Sequence, residues 1–230
     1  KVILMDSNGD LATENTLKPA PKGMDAKTVL KAYIEAVGGA KNWSKLKGMK
    51  TEMSASMQGM PFTITTVAAA PNKSISEIAL NGNVMQKIVF DGEKGAMVAG
   101  GQATPFEEDK NKDLAVETTL FPEADYLTEN YKLELKGIDI QNDEDVYVVK
   151  ITKPSGDVMT NFYSVNTGYL ILSQETDENG TAEALYSDYK AVKKIMVPHK
   201  ILRNVGPQKM EIKVEKVVLD PKVDGETFKF

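Results

Sequence analysis

Most of the chain after Lys47 alternates hydrophobic and polar residues. In the segment TEMSASM, for example, Met53, Ala55 and Met57 occupy every second position. A period of two places such residues in one row on one face of a β-sheet, so the pattern predicts strands. The predicted strands cover residues 47–58, 61–70, 73–80, 84–90, 94–99, 131–140, 145–153, 158–165, 169–177, 182–191, 195–204 and 209–219.

The connections between these strands are mostly short and rich in turn-forming residues. Asn81-Gly82 and Asp91-Gly92 separate alternating segments, and such pairs are strong hairpin signals. Consecutive strands that are joined by short turns pair antiparallel. We therefore predict an α+β, mostly β fold: a single large curved antiparallel sheet, a half-barrel of about eleven or twelve strands, around one or two helices.

Two segments have the periodicity of helices instead. The clearer one, DAKTVLKAYIEAVGG, begins after Asp25, a favourable N-cap residue, and stops at Gly38-Gly39; the short segment AKNWSKL then leads into the sheet. The second, residues 105–123, begins at Pro105 and is predicted to flank or cap the sheet. The apolar stripe of the first helix comprises Val29, Leu30, Tyr33, Ile34 and Val37.

The alternating apolar rows are the candidate functional surface, because together they can line the concave face of a curved sheet. Methionine is unbranched and polarizable, which suits a surface that accepts ligands of varying shape. An alternative stays open: the first helix packs its stripe on the same rows and fills the space. The candidate ligand-binding residues are Met53, Ala55, Met57, Phe62, Ile64, Val84, Ile88, Phe90, Met210, Ile212 and Val214.

Composition excludes several classes of function. The 230 residues are 41% hydrophobic and 27% charged, as in a folded globular protein, and the net charge of -5 argues against nucleic-acid binding. With no cysteine and His199 as the one histidine, a zinc site or a catalytic triad is not expected. No phosphate-binding or dinucleotide motif occurs, and no apolar run is long enough to span a bilayer. We therefore expect no catalysis, metal, cofactor or transmembrane segment.

Residues 1–24 differ from the rest of the chain. The stretch DSNGD spaces Asp6, Asn8 and Asp10 like the first ligands of a calcium loop, but Leu11 and Leu17 stand where glycine and glutamate are required, so a turn is predicted. TLKPAPKG has the composition of a linker. We expect residues 1–24 to be a linker or the tail of an upstream domain, and residues 25–230 to form one domain. Because the chain begins at Lys1, we expect a fragment or mature form whose export signal lies upstream.

Four segments in order resemble the lipoprotein-localisation-factor superfamily, which includes LolA-, LolB- and LppX-like proteins. They are KTVLKAYIEAVGGAKNWSKLKGMK, NFYSVNTGYLILSQE with its Asn166-Thr167-Gly168 turn, LYSDYKAVKKIMVPHKI and LDPKVDGETFKF. The resemblance covers about residues 25–230 and implies a half-barrel whose concave apolar face holds lipid or acyl chains. It also implies an exported protein, periplasmic or associated with the outer membrane, without catalysis or cofactor. Arg203, the one arginine, is not expected on the concave rows, which puts a headgroup anchor built on arginine in doubt.

Two alternatives remain. Gly59-Met60-Pro61 and FDGEKG between strands also resemble the C-terminal domain appended to insulinase-type zinc peptidases of Bacteroidetes-like bacteria, although the zinc motif H-x-x-E-H is absent. In that case the chain is a non-catalytic accessory domain that docks on an upstream peptidase domain or an envelope protein through the outer surface of its sheet. A hydrolase, the third alternative, requires a pair of carboxylates inside the concavity.

Overall fold

The computed structural model describes residues 17–57, 59–177, 180–205 and 208–230. Within these ranges the strands form one antiparallel sheet of thirteen strands. The helices are α1 (Ala26–Ala36), α2 (Ala40–Trp43), α3 (Glu108–Glu117) and a 3-10 helix (Pro122–Leu127). The strands are β1 (Gly48–Met57), β2 (Met60–Ala69), β3 (Lys73–Leu80), β4 (Asn83–Phe90), β5 (Gly95–Ala99), β6 (Gln102–Pro105), β7 (Lys132–Gln141), β8 (Glu144–Thr152), β9 (Val158–Ser164), β10 (Leu170–Asp177), β11 (Gly180–Val192), β12 (Ile195–Val205) and β13 (Gln208–Leu219).

Strands that are neighbours in the sheet are also consecutive in the chain and form hairpins. The one exception within the described sheet is the pair in its middle. The spatial order is β6-β5-β4-β3-β2-β1-β13-β12-β11-β10-β9-β8-β7, so β1 pairs with β13 and the two edges are β6 and β7. The predicted mostly β half-barrel is confirmed. The strand count is higher than expected because residues 102–105 form β6, and Pro105 therefore ends a strand instead of starting a helix.

Helix α1 forms where its apolar stripe predicts it. The Asp25 side chain accepts a hydrogen bond from the Thr28 N–H at 2.7 Å and so caps the first turn. The stripe packs on strands β8 to β10, where its main partners are Val149, Ile151, Met159, Tyr163 and Leu170. We call the face of the sheet that carries α1 the inner face. The helix therefore does not fill the space beside Met53 and its neighbours.

The outer face has two apolar clusters, and a chain segment packs on each. Leu17 packs on the cluster formed by Val146, Val148, Phe162 and Leu172. Val223 and Phe228, near the end of the chain, pack on the cluster of Ile75 and Val89. These segments remove both outer clusters from water, which is the usual requirement for an apolar sheet face.

The segment that precedes α1 also contacts the sheet. Lys18 pairs with Ile138 on β7, and its ammonium lies 3.1 Å from the Asp145 carboxylate. Most of the predicted linker, with its DSNGD turn, lies outside the described residues. The division of the chain at residue 24 stays a prediction.

The two edge strands are connected by residues 106–131, which we call the crossing segment. It contains α3 and the 3-10 helix. Asn72, in the turn between β2 and β3, donates a hydrogen bond to the Ala115 carbonyl in α3, and the Gly95 N–H donates to the Asn111 side chain at 2.8 Å. The crossing segment thus starts at the β6 edge and returns to the inner side of the other half, where α1 contacts the 3-10 helix.

Candidate ligand-binding trough and cavity

The strand register builds a continuous row of apolar side chains across the inner face. Tyr186 on β11 packs with the α1 cluster and lies opposite Ile201 on β12. Ile201 faces Ile212 on β13, Ile212 faces Ala55 on β1, and Ala55 faces Phe62 on β2. Residues that face each other in an antiparallel pair share a side of the sheet. The row therefore crosses five strands on the same side as α1.

A second row runs beside the first. Val214 faces Met53, Met53 faces Ile64, and Ile64 faces Ile78 on β3. Farther along β4, Ile88 joins the same side through its pairing with Ser76. We call this set the apolar trough, and its members are Met53, Ala55, Phe62, Ile64, Ile78, Ile88, Ile201, Met210, Ile212 and Val214.

Most of the trough remains partly open to solvent. Ala55, Ile212 and Val214 are buried, whereas Met53, Ile64 and the other members are only half-buried. Within the described part of the chain, none of these residues belongs to the cluster around α1 or to the two outer clusters. Among the described residues, the trough is thus an apolar surface separate from the clusters that α1 and the two tails cover.

The opposite side of the same strands is polar. Lys200 forms an ion pair with Glu211 at 3.0 Å, and Lys87 forms one with Glu77 at 2.7 Å. Ser54 also lies on this side, where its hydroxyl donates to Glu215 at 2.5 Å. The alternation of polar and apolar residues thus produces a polar, solvent-exposed outer face and an apolar inner face on the same strands.

The structure brings together most of the residues that the sequence analysis selected as ligand-binding. Two of them lie elsewhere. A β-bulge after Ile78 places Val84 opposite Ala79, on the outer side, where Val84 is 47% exposed. Phe90 shares the inner side with Ile88, but it is fully buried beside Phe106 and is not part of an open surface. The other nine lie together on the inner face: Met53, Ala55, Met57, Phe62, Ile64, Ile88, Met210, Ile212 and Val214. Their role in ligand binding stays a prediction.

Arg203 corrects an expectation from the sequence. It lies opposite Met210 on one side and Ala184 on the other, so it belongs to the inner face. Its side chain is exposed, and its charge lowers the pKa of Tyr186, although burial of that hydroxyl outweighs the effect and raises the pKa overall. The inner face therefore carries a guanidinium next to apolar residues.

A cavity of about 220 Å³ lies where the first row reaches the α1 side of the half-barrel. The 3-10 helix contributes Glu123 to its wall, and α1 contributes Tyr33. The Tyr33 hydroxyl donates a hydrogen bond to the Glu123 carboxyl, with 3.2 Å between the oxygens. Burial raises the pKa of Glu123, because an apolar environment disfavours the carboxylate. We call this space the Glu123 cavity.

Aromatic side chains dominate the rest of the cavity wall. The rings of Trp43 and Phe121 stack with 4.4 Å between their centroids, and Tyr186 and Tyr189 face them from β11. The Tyr189 hydroxyl donates to the Leu170 carbonyl at 2.8 Å, which fixes that ring. The wall is therefore mostly aromatic, with tyrosine hydroxyls and the acidic Glu123 as its polar side-chain groups.

One further buried polar group lies next to this wall. Asn161 is 2% exposed, and its amide nitrogen donates to the Tyr163 hydroxyl at 2.9 Å. Its amide oxygen has no partner in the described part of the chain. The Tyr163 ring packs on Tyr33 with 5.2 Å between centroids. Rotating the Asn161 amide by half a turn would leave the nitrogen unpaired instead, so one polar atom lacks a partner in either orientation.

The structure also places the residues that the sequence analysis considered for catalysis or metal binding. His199 lies on β12, as predicted, and its Nδ1 is 2.9 Å from the Val197 carbonyl oxygen. Glu175, also on the inner face, is ion-paired with Lys153 at 2.7 Å. Among the residues that the structure describes, no three acidic or histidine side chains are grouped closely enough to hold a metal ion. The helices in the same ranges are also too short or too polar to cross a membrane.

The sequence analysis missed Glu123 and the aromatic cavity. Nothing in the periodicity of residues 105–123 distinguishes Glu123 from the exposed acidic residues around it. The alternation on β12, in contrast, could have placed Arg203, because it lies two residues from Ile201 in a strand with period two.

Comparison with known proteins yields matches in structure only. No family model and no curated protein matches the sequence. The structure is similar to that of a DUF1329 family protein from Desulfovibrio piger, with a TM-score of 0.62, 11% identity and coverage of 89% of this chain and 97% of the other. It is also similar to a LolA superfamily protein from Nitrosomonas europaea, with a TM-score of 0.60, 12% identity and coverage of 90% and 99%.

A third similar structure is an outer membrane lipoprotein-sorting protein domain from Vibrio parahaemolyticus. Its TM-score is 0.62 at 11% identity, and the match covers 89% of this chain and 96% of that one. All three matches cover nearly the whole of the other chain, so the likeness extends over a complete domain. The chain therefore has the half-barrel fold of the LolA superfamily, as the resemblance in its sequence motifs predicts.

Proposed function

We propose that this chain is a non-catalytic binding module of the bacterial envelope that holds a lipid, the acyl chains of a lipoprotein or another apolar ligand in its trough. The observation that carries the proposal is the apolar inner face of β1 to β4, β12 and β13, whose residues, within the described ranges, belong to none of the clusters formed with α1 or the tails. The similar lipoprotein-sorting domain supports a location in the periplasm or at the outer membrane.

The energetics favour such a ligand. Each methylene group that leaves water contributes about 0.8 kcal/mol, so a long acyl chain gains enough to bind without a charged anchor. The row from Tyr186 to Ala55 spans three interstrand distances, about 14 Å. Arg203 lies beside this row, where its charge favours a ligand with an anionic end.

A matched pair of variants tests the proposal. Ile64→Glu places a charge in the trough, whereas Thr63→Glu places the same charge at an exposed position on the outer side of the same strand, opposite Ser54 and Ala79. We expect Ile64→Glu to weaken binding of a fluorescent fatty acid by more than about tenfold, because a buried charge is costly, and Thr63→Glu to have little effect. Equal effects of both variants, or no fatty-acid uptake by the wild-type protein, would refute the proposal.

The accessory-domain alternative requires a different surface, the outer face of the sheet. None of the contacts described above favours it over the trough, so it stays a prediction from the sequence. The hydrolase alternative requires two free carboxylates inside the concavity, whereas Glu175 is engaged by Lys153. The accessory-domain alternative predicts that Ile64→Glu leaves docking intact, because Ile64 lies on the inner face, so the same variant separates it from the carrier proposal.

A further inference from the structure

The Glu123 carboxyl lacks the cationic partner that a buried carboxyl usually has. Glu123 is half-buried and lines the cavity together with Tyr33, to which its carboxyl is hydrogen-bonded. No lysine or arginine lines the cavity, and within the described ranges Glu123 takes part in no ion pair. Its one side-chain partner is the Tyr33 hydroxyl. A carboxyl in this setting interacts more favourably with a cation than with any neutral ligand group.

The walls of the cavity also favour a cation. Ring faces of Trp, Tyr and Phe attract cations through their quadrupoles, most strongly when water is excluded. Trp43, Phe121, Tyr186 and Tyr189 line the same cavity as Glu123. A divalent metal ion does not fit, because it requires several oxygen ligands and the cavity supplies one carboxyl. The cavity thus combines these aromatic side chains with one acidic residue in its wall.

The cavity is connected to the trough through the first row. Tyr186 is at once a wall of the cavity and the end of the row that continues through Ile201 and Ile212 to Ala55. Met49, another wall residue, lies on β1 on the same side as Met53, four residues away. A single molecule with a polar end and an alkyl chain can thus contact both sites.

We propose that the Glu123 cavity binds the protonated amine of an amphiphile, with Glu123 as the counter-ion and the aromatic rings as the walls. The alkyl chain then lies in the trough, and in that respect the inference rests on the proposed function. The ligand class is an alkylamine or an amine-bearing lipid. A fatty acid places its carboxylate nearer Arg203 instead and gains nothing from Glu123.

Isothermal titration calorimetry with three ligands of equal chain length tests the inference: dodecylamine, dodecanol and dodecanoate. We expect the Glu123→Gln variant to bind dodecylamine about tenfold more weakly than the wild-type protein does, because a charge-assisted contact is lost. The affinities for dodecanol and dodecanoate should not fall. Glutamine keeps the side-chain volume and an acceptor for Tyr33, and unchanged circular dichroism verifies that the variant is folded.

The outcomes separate the inference from the proposed function. If dodecanol and dodecanoate bind while dodecylamine binds equally to wild type and variant, the amine site is refuted and the trough stands. If no ligand binds the wild-type protein, both proposals fail. Propylamine tests whether the long alkyl chain contributes to binding. Binding as tight as that of dodecylamine would refute an amphiphilic ligand, and much weaker binding supports one.

A second measurement needs no variant. In titrations between about pH 8 and about pH 4, dodecylamine binding should weaken once the pH falls below the pKa of Glu123, which burial raises, because protonation removes the counter-ion; dodecanol binding should not change. The other titratable groups that face Glu123 are hydroxyls whose pKa values are raised by burial, so they stay neutral in this range: Tyr33, Tyr126, Tyr163, Tyr186 and Tyr189. Amine affinity that is independent of pH would overturn the inference.

Discussion

The buried carboxyl of Glu123 makes the stability of the protein depend on pH in a defined direction. Burial raises its pKa in the folded state, whereas in an unfolded chain a glutamate titrates near about 4.3. Below both values the carboxyl is protonated in both states and contributes no pH dependence. As the pH rises between them, the unfolded chain releases its proton first, so the free energy of unfolding decreases until the pH passes the folded-state pKa.

The Glu123→Gln variant removes this titration and keeps an acceptor for the Tyr33 hydroxyl. The variant is therefore expected to gain stability relative to the wild-type protein as the pH rises above about 4.3, with a slope of at most about 1.4 kcal/mol per pH unit for one proton. Urea unfolding at a series of pH values measures the difference. Glu134→Gln, at an exposed position on β7, is the matched control and should change stability by less than about 0.5 kcal/mol. A difference that does not vary with pH would refute the reasoning.

Two further predictions concern stability, and thermal or urea unfolding measures both. Leu30→Ala removes a fully buried side chain from the α1 cluster and should cost about 2–5 kcal/mol, whereas Lys31→Ala, at the exposed neighbouring position, should cost less than about 0.5 kcal/mol. A small loss in Leu30→Ala would show that α1 is not packed as described. Gly38→Ala should cost more than about 2 kcal/mol, because φ is +122° and a Cβ would collide with the Lys194 carbonyl oxygen. Gly59 also has a positive φ, +78°, but apart from its chain neighbours no atom lies within 4 Å of the position that a Cβ would take. Gly59→Ala therefore isolates the backbone strain and should cost about 1 kcal/mol. Equal losses of stability in Gly38→Ala and Gly59→Ala would contradict the collision at Gly38.

Local signals were sufficient to predict most of the fold. Alternation marks a strand wherever one face is buried and the other is wet, and this holds for β1, where Met53 and Ala55 point inward and Ser54 points outward. The Asn81-Gly82 turn has positive φ at both residues, as the hairpin signal requires. These features depend on neighbours in sequence, so the sequence alone carries them.

Features that depend on distant contacts could not be predicted in the same way. The bulge that turns Val84 to the outer side leaves the alternation of its neighbours intact. Phe90 is covered because the crossing segment returns Phe106 to it, a contact between separate elements. The Glu123 cavity arises where α1, the 3-10 helix and β11 meet, and no periodicity within one element predicts such a meeting. The position of α1 on the inner face, away from the trough, also became clear only from the strand register of the whole sheet.

The order of the strands divides the half-barrel into two halves that are joined in two ways. Each half of the sheet is a contiguous run of hairpins, and the halves meet through hydrogen bonds between β1 and β13, while residues 106–131 join their far edges covalently. The two far edges are therefore connected through the chain as well as through the sheet. The Tyr33–Glu123 hydrogen bond joins the connecting segment to α1. A ligand in the Glu123 cavity would consequently contact a residue of the segment that connects the two edges.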